Sequence, residues 1–365
     1  MTPAEAVAAI RDQTQARVFV ACSGGGAGLP KLICDVPGIS SFFEGAAVPY
    51  SAAQIEAFLS FVPEKFCSPE AAVDLAMQAY LHAWAPGRPA VGVGLTAVVA
   101  TLQPHRGPHR VYVAALSDGG CRLHSLELTK GSGLAQRESD GRDCDLLGLN
   151  ALLEAAGCPP LSLGLAASSE DAGLLARERL LRRPFFAADG RRLEEPPALP
   201  PALFPGAFDP PHFGHLAMAR TFEAAVGNRP VFHVTLDPPH KPALGTAQIL
   251  QRAKLLAGHD RFFSLGDPLY LDKARRWPGA RILMGLDALE RMLDPRWCPV
   301  EPMMAEFAAL GTRFYVVARG VDEASPWLDK LGMPPRWRAL FTPLPGHYDV
   351  SSTRVREEKS ESSLD

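Results

Sequence analysis

No stretch of this sequence approaches 18 consecutive apolar residues, so no membrane-spanning helix and no membrane partner are expected. The first fifteen residues have neither a basic n-region nor an apolar h-region, and no export signal is read there. No Cys-x-x-Cys pair occurs: Cys22, Cys34, Cys67, Cys121, Cys144, Cys158 and Cys298 are odd in number and widely spaced. Such a set reads as reduced thiols, mostly buried, and the expected location is cytoplasmic. Excess positive charge is absent as well. A formal charge of -3 and a pI near 6.4 supply no basic field of the kind nucleic-acid binding needs, so no nucleic-acid partner is expected. No internal repeat is found.

What is present is a globular composition, 47% hydrophobic and 21% charged over 365 residues. At about 150 residues per domain, that length suggests two units. Proline (34) and glycine (32) together exceed the usual share of about 12%, so turns should be numerous. In residues 187–201, AADGRRLEEPPALPP, charge and four prolines replace any apolar period, which is linker chemistry. The expected organisation is a first domain over 1–160, a bridging helix and proline-rich linker over 161–201, a second domain over 202–356 and a disordered tail over 357–365.

Apolar spacing predicts helices over 4–13, 69–84 and 146–156 in the first domain, with strands over 17–23, 45–51, 90–97, 110–117 and 121–129. Asp118, Gly119 and Gly120 join the last two strands as a hairpin. A bridging helix is expected over 174–183. The second domain should carry strands at 202–204, 231–236, 281–284 and 313–318 and helices at 213–226 and 247–257. Strand and helix alternate, so the fold class is α/β in two domains.

The most informative segment is GAFDPPHFGH, residues 206–215, between a strand and a helix. Gly206 permits close backbone approach, and His212 and His215 flank a glycine where the helix starts. Free N–H groups, the positive end of the helix dipole and two imidazoles together make an anion cradle. The bland alternative is one histidine as a cap and the other as a packing residue.

The full string resembles the GxFDPxHxGH signature of the HxGH adenylyl- and cytidylyltransferases. Three further matches follow in order: PPHK at 238–241, MGLDAL at 284–289 and VSSTRVR at 350–356. They are similar to elements of the nicotinamide/nicotinate mononucleotide adenylyltransferases. The resemblance implies a Rossmann-like parallel sheet and a site in which His212, His215, Ser351, Ser352 and Arg356 surround the ATP phosphates. It implies that Lys241 reaches the mononucleotide or triphosphate, that Asp287 sits by the adenosine ribose and that Trp297 is a platform for the pyridine ring. Gly206, Phe208, Asp209, Gly285 and Thr353 fall in the same nucleotide-binding motifs. The implied reaction joins ATP, with Mg2+, to a pyridine mononucleotide; the implied protein metal site is none. Pro205 departs from the family by replacing a first glycine, and Asp272 stands near the aspartate of its SYTxDT region.

The first domain is similar to the CinA C-terminal type, the nicotinamide-nucleotide amidases, through VACSGGGAG at 20–28 and VPGISSFFEGAAVPYS at 36–51. By that resemblance Ala21 stands at the family's nucleophilic serine and Ile55 at its lysine, and the TGIAGP loop is rewritten as GLTAVV at 94–99. Alanine offers nothing for a base to activate, so amidase chemistry by that route is not expected. Cys22 and Ser23 are one and two residues out of register, and one step along a strand reverses the face. GGGAGLPK lacks the GxxxxGK[ST] spacing, so Lys31 is not a phosphate-loop lysine. The domain is left to bind a pyridine nucleotide without cleaving it, or to hold a homo-oligomer together. For the whole chain the alternatives are a cytidylyl- or other nucleotidyltransferase and a non-catalytic pyridine-nucleotide-binding regulator.

Overall fold

The computed structural model describes residues 1–104, 106–164, 166–196, 199–238, 242–296, 298–317, 331 and 333–346. The chain divides into two compact units: Met1–Arg182 with Gly245–Gln251, and Arg183–Leu244 with the chain from Arg252 onward.

The first unit begins with α1 (Pro3–Gln13), where Thr2 and Glu5 cap each other reciprocally, and β1 (Arg17–Ser23). It continues through α2 (Leu29–Cys34), β2 (Phe43–Ala47), α3 (Ala52–Leu59) and α4 (Pro69–Ala83). Then come β3 (Ala90–Val98), β4 (His109–Ser117), β5 (Gly120–Leu128), α5 (Leu134–Ala155), β6 (Ser168–Asp171) and α6 (Gly173–Arg182). The sheet order is β2-β1-β3-β4-β5-β6. Around β1 the pairing is parallel, and from β3 to β6 it is antiparallel. Strand alternation splits β1 between two cores: Val18, Val20 and Cys22 pack with Ile10, Leu29 and Leu152, whereas Ala21 packs with Ile55, Leu59, Leu75 and Ala79.

Three expectations need correction. The strand expected at 45–51 lies at Phe43–Ala47, because Ser51 caps α3 instead, its hydroxyl accepting from the Gln54 amide at 3.3 Å. The helix expected over 146–156 starts twelve residues earlier, at Leu134. Its polar first half hides a buried anchor: the Asp140 carboxylate accepts from the Ala100 amide at 2.7 Å and from Gln136 at 2.7 Å. Third, residues 161–201 are not a linker throughout. Helix α6 joins the first unit through a buried pair, Arg179 Nη2 to Asp74 Oδ2 at 2.6 Å. Residues 185–193 form a hairpin belonging to the second unit, whose Phe185 and Phe186 are buried.

That hairpin, β7 (Phe185–Phe186) and β8 (Arg192–Leu193), precedes β9 (Ala202–Pro205), α7 (Phe213–Val226), β10 (Val231–Thr235) and α8 (Thr246–Leu255). Next are β11 (Arg261–Ser264), α9 (Tyr270–Arg276), β12 (Arg281–Gly285) and α10 (Leu286–Met292). The described part ends with α11 (Val300–Ala309), β13 (Arg313–Val317), α12 (Pro335–Arg338) and β14 (Phe341–Leu344). The sheet order β14-β13-β12-β9-β10-β11-β7-β8 is parallel from β14 to β11, with β7 antiparallel to β11 and β8 antiparallel to β7 at the edge. Ile282, Met284, Phe307, Phe314 and Val316 fill the core on one side. Among the described residues no helix is long and apolar enough to cross a membrane.

Helix α4 lies on β3 at backbone distance because Gly92 and Gly94 have no side chains there. A Cβ on Gly94 would collide with the Ala72 carbonyl oxygen and the Ala76 amide nitrogen. Gly94→Ala is therefore expected to destabilise the first unit by about 3 kcal/mol, the upper range for overpacking against backbone that cannot yield. Denaturant unfolding followed on the full chain checks this, and an unshifted transition contradicts it.

Candidate active site

Six parallel strands run β11-β10-β9-β12-β13-β14 across the second sheet, so the chain starts at the centre, fills one side and then returns to fill the other. Such an order opens a crevice at the carboxyl ends of the two central strands, β9 and β12. The segment 206–215 leaves β9 there, and Gly285 to Asp287 leave β12 beside it.

The turn after β9 is built around Phe208. Its backbone takes φ +47° and its ring, 1% exposed, turns inward. A Cβ on Gly206 would lie 2.6 Å from that ring, so position 206 needs a glycine to let phenylalanine close beneath it. The ring packs edge-on against Phe204, Phe232 and the His215 imidazole, with centroids 5.2, 5.0 and 5.0 Å away. Phe208, expected among the nucleotide-binding residues, is thus a core residue that holds the turn. Asp209 ties the same turn to α8 through Arg252, Nη2 to Oδ2 at 3.1 Å.

Helix α7 starts at once, with His212 in extended conformation as its cap. The His212 and His215 rings stack at 3.7 Å with 28° between planes. The His212 backbone N–H donates to His215 Nδ1 at 3.3 Å. A neutral imidazole that accepts at Nδ1 carries its proton on Nε2, so His215 presents a donor on its far side. At the mouth of α7 the His215 and Leu216 N–H groups donate to the His212 carbonyl at 3.0 and 3.3 Å, and the positive end of the helix dipole lies beside the Nε2 donor.

One cavity adjoins this pair and a second shares part of its wall. The first, about 190 Å3, is lined by Gly206, His212, His215, Gly285, Asp287 and Arg291 among others. The second, about 260 Å3, is lined by Asp209, Thr235, Arg252, Tyr270, Lys273 and Arg291 among others. Gly206, Ala207, Ala288 and Arg291 belong to both. The structure therefore brings Gly206, His212, His215, Gly285 and Asp287 to one cavity and places Asp209 at the next. Lys241, Trp297, Ser351, Ser352, Thr353 and Arg356 lie outside the described residues, as does the tail from 357. Asp272 lines neither cavity; its carboxylate accepts from the Leu269 amide at 3.0 Å and caps α9. Arg291 and Lys273 were missed from sequence. Arg291 had a usable signal, lying four residues after Asp287 and so on the same face of α10.

In the first unit the triple glycine is a strand-to-helix turn, with positive φ at Gly24 (79°) and Gly26 (75°). Lys31 pairs with Asp35 on the surface. Ala21 and Ile55 meet in one apolar cluster, while Cys22 faces the opposite core, where burial pushes its thiol far above the ordinary range. The glycine turn walls a cavity of about 200 Å3 with Tyr50, Arg137 and Asp145. Arg137 donates to the Ala100 carbonyl at 2.8 Å and the Tyr50 hydroxyl at 2.9 Å. Burial raises the Asp145 carboxyl to about 6, against the lowering influence of the Gly28 and Leu29 amides that donate to it.

Residues 203–358 match the cytidylyltransferase-like family. A probable nicotinate-nucleotide adenylyltransferase of Gloeobacter violaceus is 34% identical over 175 residues, 43% of this chain and 82% of that protein. One of Neisseria meningitidis is 29% identical over 178 residues, 42% of this chain and 85% of that protein. Among solved structures, a competence-damaged protein (CinA) superfamily protein of Escherichia coli is 18% identical with a TM-score of 0.33, covering 42% of this chain and 90% of that one.

The Asp145 carboxyl makes the first unit's stability depend on pH. Its folded value, about 6, lies above the free value of 3.8. Its favourable contribution is full below the free value and is lost as pH rises through about 6, because the folded state holds the proton longer. Asp145→Asn should therefore raise the melting temperature more at pH 7.5 than at pH 5. Thermal unfolding of both proteins at the two pH values reads this, and an equal gain at both defeats it.

Proposed function

The chain belongs, through its C-terminal half, to the nicotinate-nucleotide adenylyltransferase family, and from that membership we propose that it transfers adenylate from ATP to a pyridine mononucleotide, yielding the dinucleotide and pyrophosphate. The observation that carries the reading is the stacked His212–His215 pair, with the His215 Nε2 proton directed away from its own backbone contact, at the crevice between β9 and β12. A nucleotidyltransferase needs no protein nucleophile here, because the acceptor phosphate is already an anion that can attack the α-phosphorus in line. What the protein supplies is position and charge. The two imidazoles and the α7 N-terminus donate to phosphoryl oxygens whose charge grows as pyrophosphate departs. Lys241, Ser351, Ser352, Thr353 and Arg356, which by motif belong to the same phosphate-binding set, complete the cradle in this reading, and Trp297 is by motif the residue assigned to the pyridine ring. Mg2+ comes with ATP as part of the substrate and shields the leaving pyrophosphate.

The second cavity takes the acceptor and the first takes ATP. The shared wall at Gly206, Ala207 and Arg291 supports this, since the two phosphates must meet where the compartments join. The first unit plays no part in amide cleavage: an alanine and an isoleucine in an apolar cluster offer neither a nucleophile nor a base.

Two outcomes follow. His215→Ala should lower turnover about 10²- to 10³-fold, the usual worth of one such donor, with pyrophosphate release from ATP plus each mononucleotide as the readout. A preference for CTP over ATP in that assay selects the cytidylyl alternative, and binding without turnover selects the regulator. Second, the purified chain should release no ammonia from nicotinamide mononucleotide, and Ala21→Ser alone should not restore it, because Ile55 supplies no base. Ammonia produced at a catalytic rate would falsify the assignment of the first unit.

A further inference from the structure

Helix α10 brings one cation to the wall that the two cavities of the second unit share. Leu289 and Met292, 0% and 6% exposed, hold the helix to the core. Asp287, Ala288 and Arg291 lie three and four positions apart on another face; Asp287 lines the first cavity, and Ala288 and Arg291 line both. His212 and His215 line the first cavity and not the second.

Among the described residues, three arginine and lysine side chains line these cavities, and two of them are committed. Arg252 pairs with Asp209, Nη2 to Oδ2 at 3.1 Å. Lys273, 3% exposed, donates to Thr235 Oγ1 at 3.0 Å and to the Asp267 carbonyl at 2.5 Å. Arg291 has neither a hydrogen bond nor an ion pair among the described residues. Its charge is felt at the Tyr270 phenol on the second cavity's wall: burial raises that phenol, and Arg291 opposes the rise. A neutral phenol leaves the positive charge unanswered. The guanidinium, a planar fork of donors, thus stands uncommitted where the two compartments join.

We propose that Arg291 is a catalytic residue that bridges the acceptor phosphate and the α-phosphoryl group of ATP, giving N–H donors to both. The inference rests on the adenylyl-transfer reading above. In that step an oxygen of the acceptor phosphate forms a bond to the α-phosphorus while the bond from that phosphorus to its leaving oxygen breaks. The electron pair departs with pyrophosphate, and no proton transfer is required. Two anions must approach to bonding distance, and the imidazoles, confined to the first cavity, answer the charge on one side only. A cation that faces both compartments lowers the repulsion between them. Such a bridge requires both phosphates and tightens as they join, so it acts on the transition state more than on the binding of either substrate.

The test uses the full chain with ATP, Mg2+ and whichever pyridine mononucleotide the wild type turns over, measuring initial rates of dinucleotide formation. Arg291→Ala should lower kcat about 10²- to 10³-fold while moving the KM of each substrate less than about threefold. Arg291→Lys, a point charge without the fork, should still lose at least about tenfold in kcat. Guanidinium ion, added below denaturing concentration, should restore part of the Arg291→Ala rate, and equal concentrations of urea or sodium chloride should not.

An unchanged kcat in Arg291→Ala, or a loss confined to the KM of one substrate, overturns the bridge while leaving adenylyl transfer intact. A loss that guanidinium relieves no better than urea assigns Arg291 to the fold of α10 and overturns it too. If Arg291→Ala does not fold, Arg291→Lys decides, since wild-type kcat in that variant contradicts a role for the fork. A wild type that turns over neither mononucleotide defeats the functional reading itself.

Discussion

In the proposed reaction the chemistry of the second unit depends on one local hydrogen bond, from the His212 backbone N–H to His215 Nδ1 at 3.3 Å. A histidine free to rotate or to change tautomer offers a phosphoryl oxygen a donor part of the time and an acceptor the rest. Fixing Nδ1 as acceptor commits Nε2–H to donation, and the stacked His212 ring and the edge-on Phe208 ring limit rotation. Each of those neighbours has a prior requirement. Phe208 can close beneath the turn only because residue 206 has no side chain, and the turn is tied to α8 by Asp209 and Arg252. The helix that carries both histidines starts where it does because β9 ends at Pro205, in the centre of a sheet whose order leaves a crevice there.

The two units treat buried polarity in opposite ways. Around β1 of the first unit, the positions facing Ile55 and Leu75 are apolar, and the turn that follows uses glycine for conformation. Its polar cavity, with Arg137 tied to Tyr50 and a carboxyl raised by burial, lies beside that turn. The second unit instead buries an ammonium without a carboxylate partner among the described residues, next to a hydrogen-bonded set of His233, Ser264 and Asp267. A protein retains such an arrangement at a cost in stability.

Reading the sequence alone recovered the strands and helices whose apolar period is unbroken, α7 to the residue and β3, β4, β5, β9, β12 and β13 within one residue at each end. It lost α5's first half, because a helix buried through Asp140 and Gln136 has no apolar stripe to reveal it. It also assigned the β7–β8 hairpin to a linker, since Phe185 and Phe186 form a strand too short to show alternation. Gly206 was recognised as needing close approach, although the approaching group is the chain's own Phe208 ring.

What the sequence alone determined is local and directional: a loop whose residue order puts two imidazoles at a helix mouth, and strands whose alternation assigns each side chain to a face. Those properties depend on neighbours within about four positions, so spacing carries them. Lys273 could not be found that way. In the run DKARR it reads as one charge of a solvated helix face, and Arg275 and Arg276 beside it are indeed more than two-fifths exposed. Only the packing of α9 against β10, β11 and the segment 265–269 takes that one ammonium from water and gives it Thr235 and two carbonyls as partners. Charge is written in the sequence; desolvation belongs to the fold, because it depends on atoms brought near from distant parts of the chain.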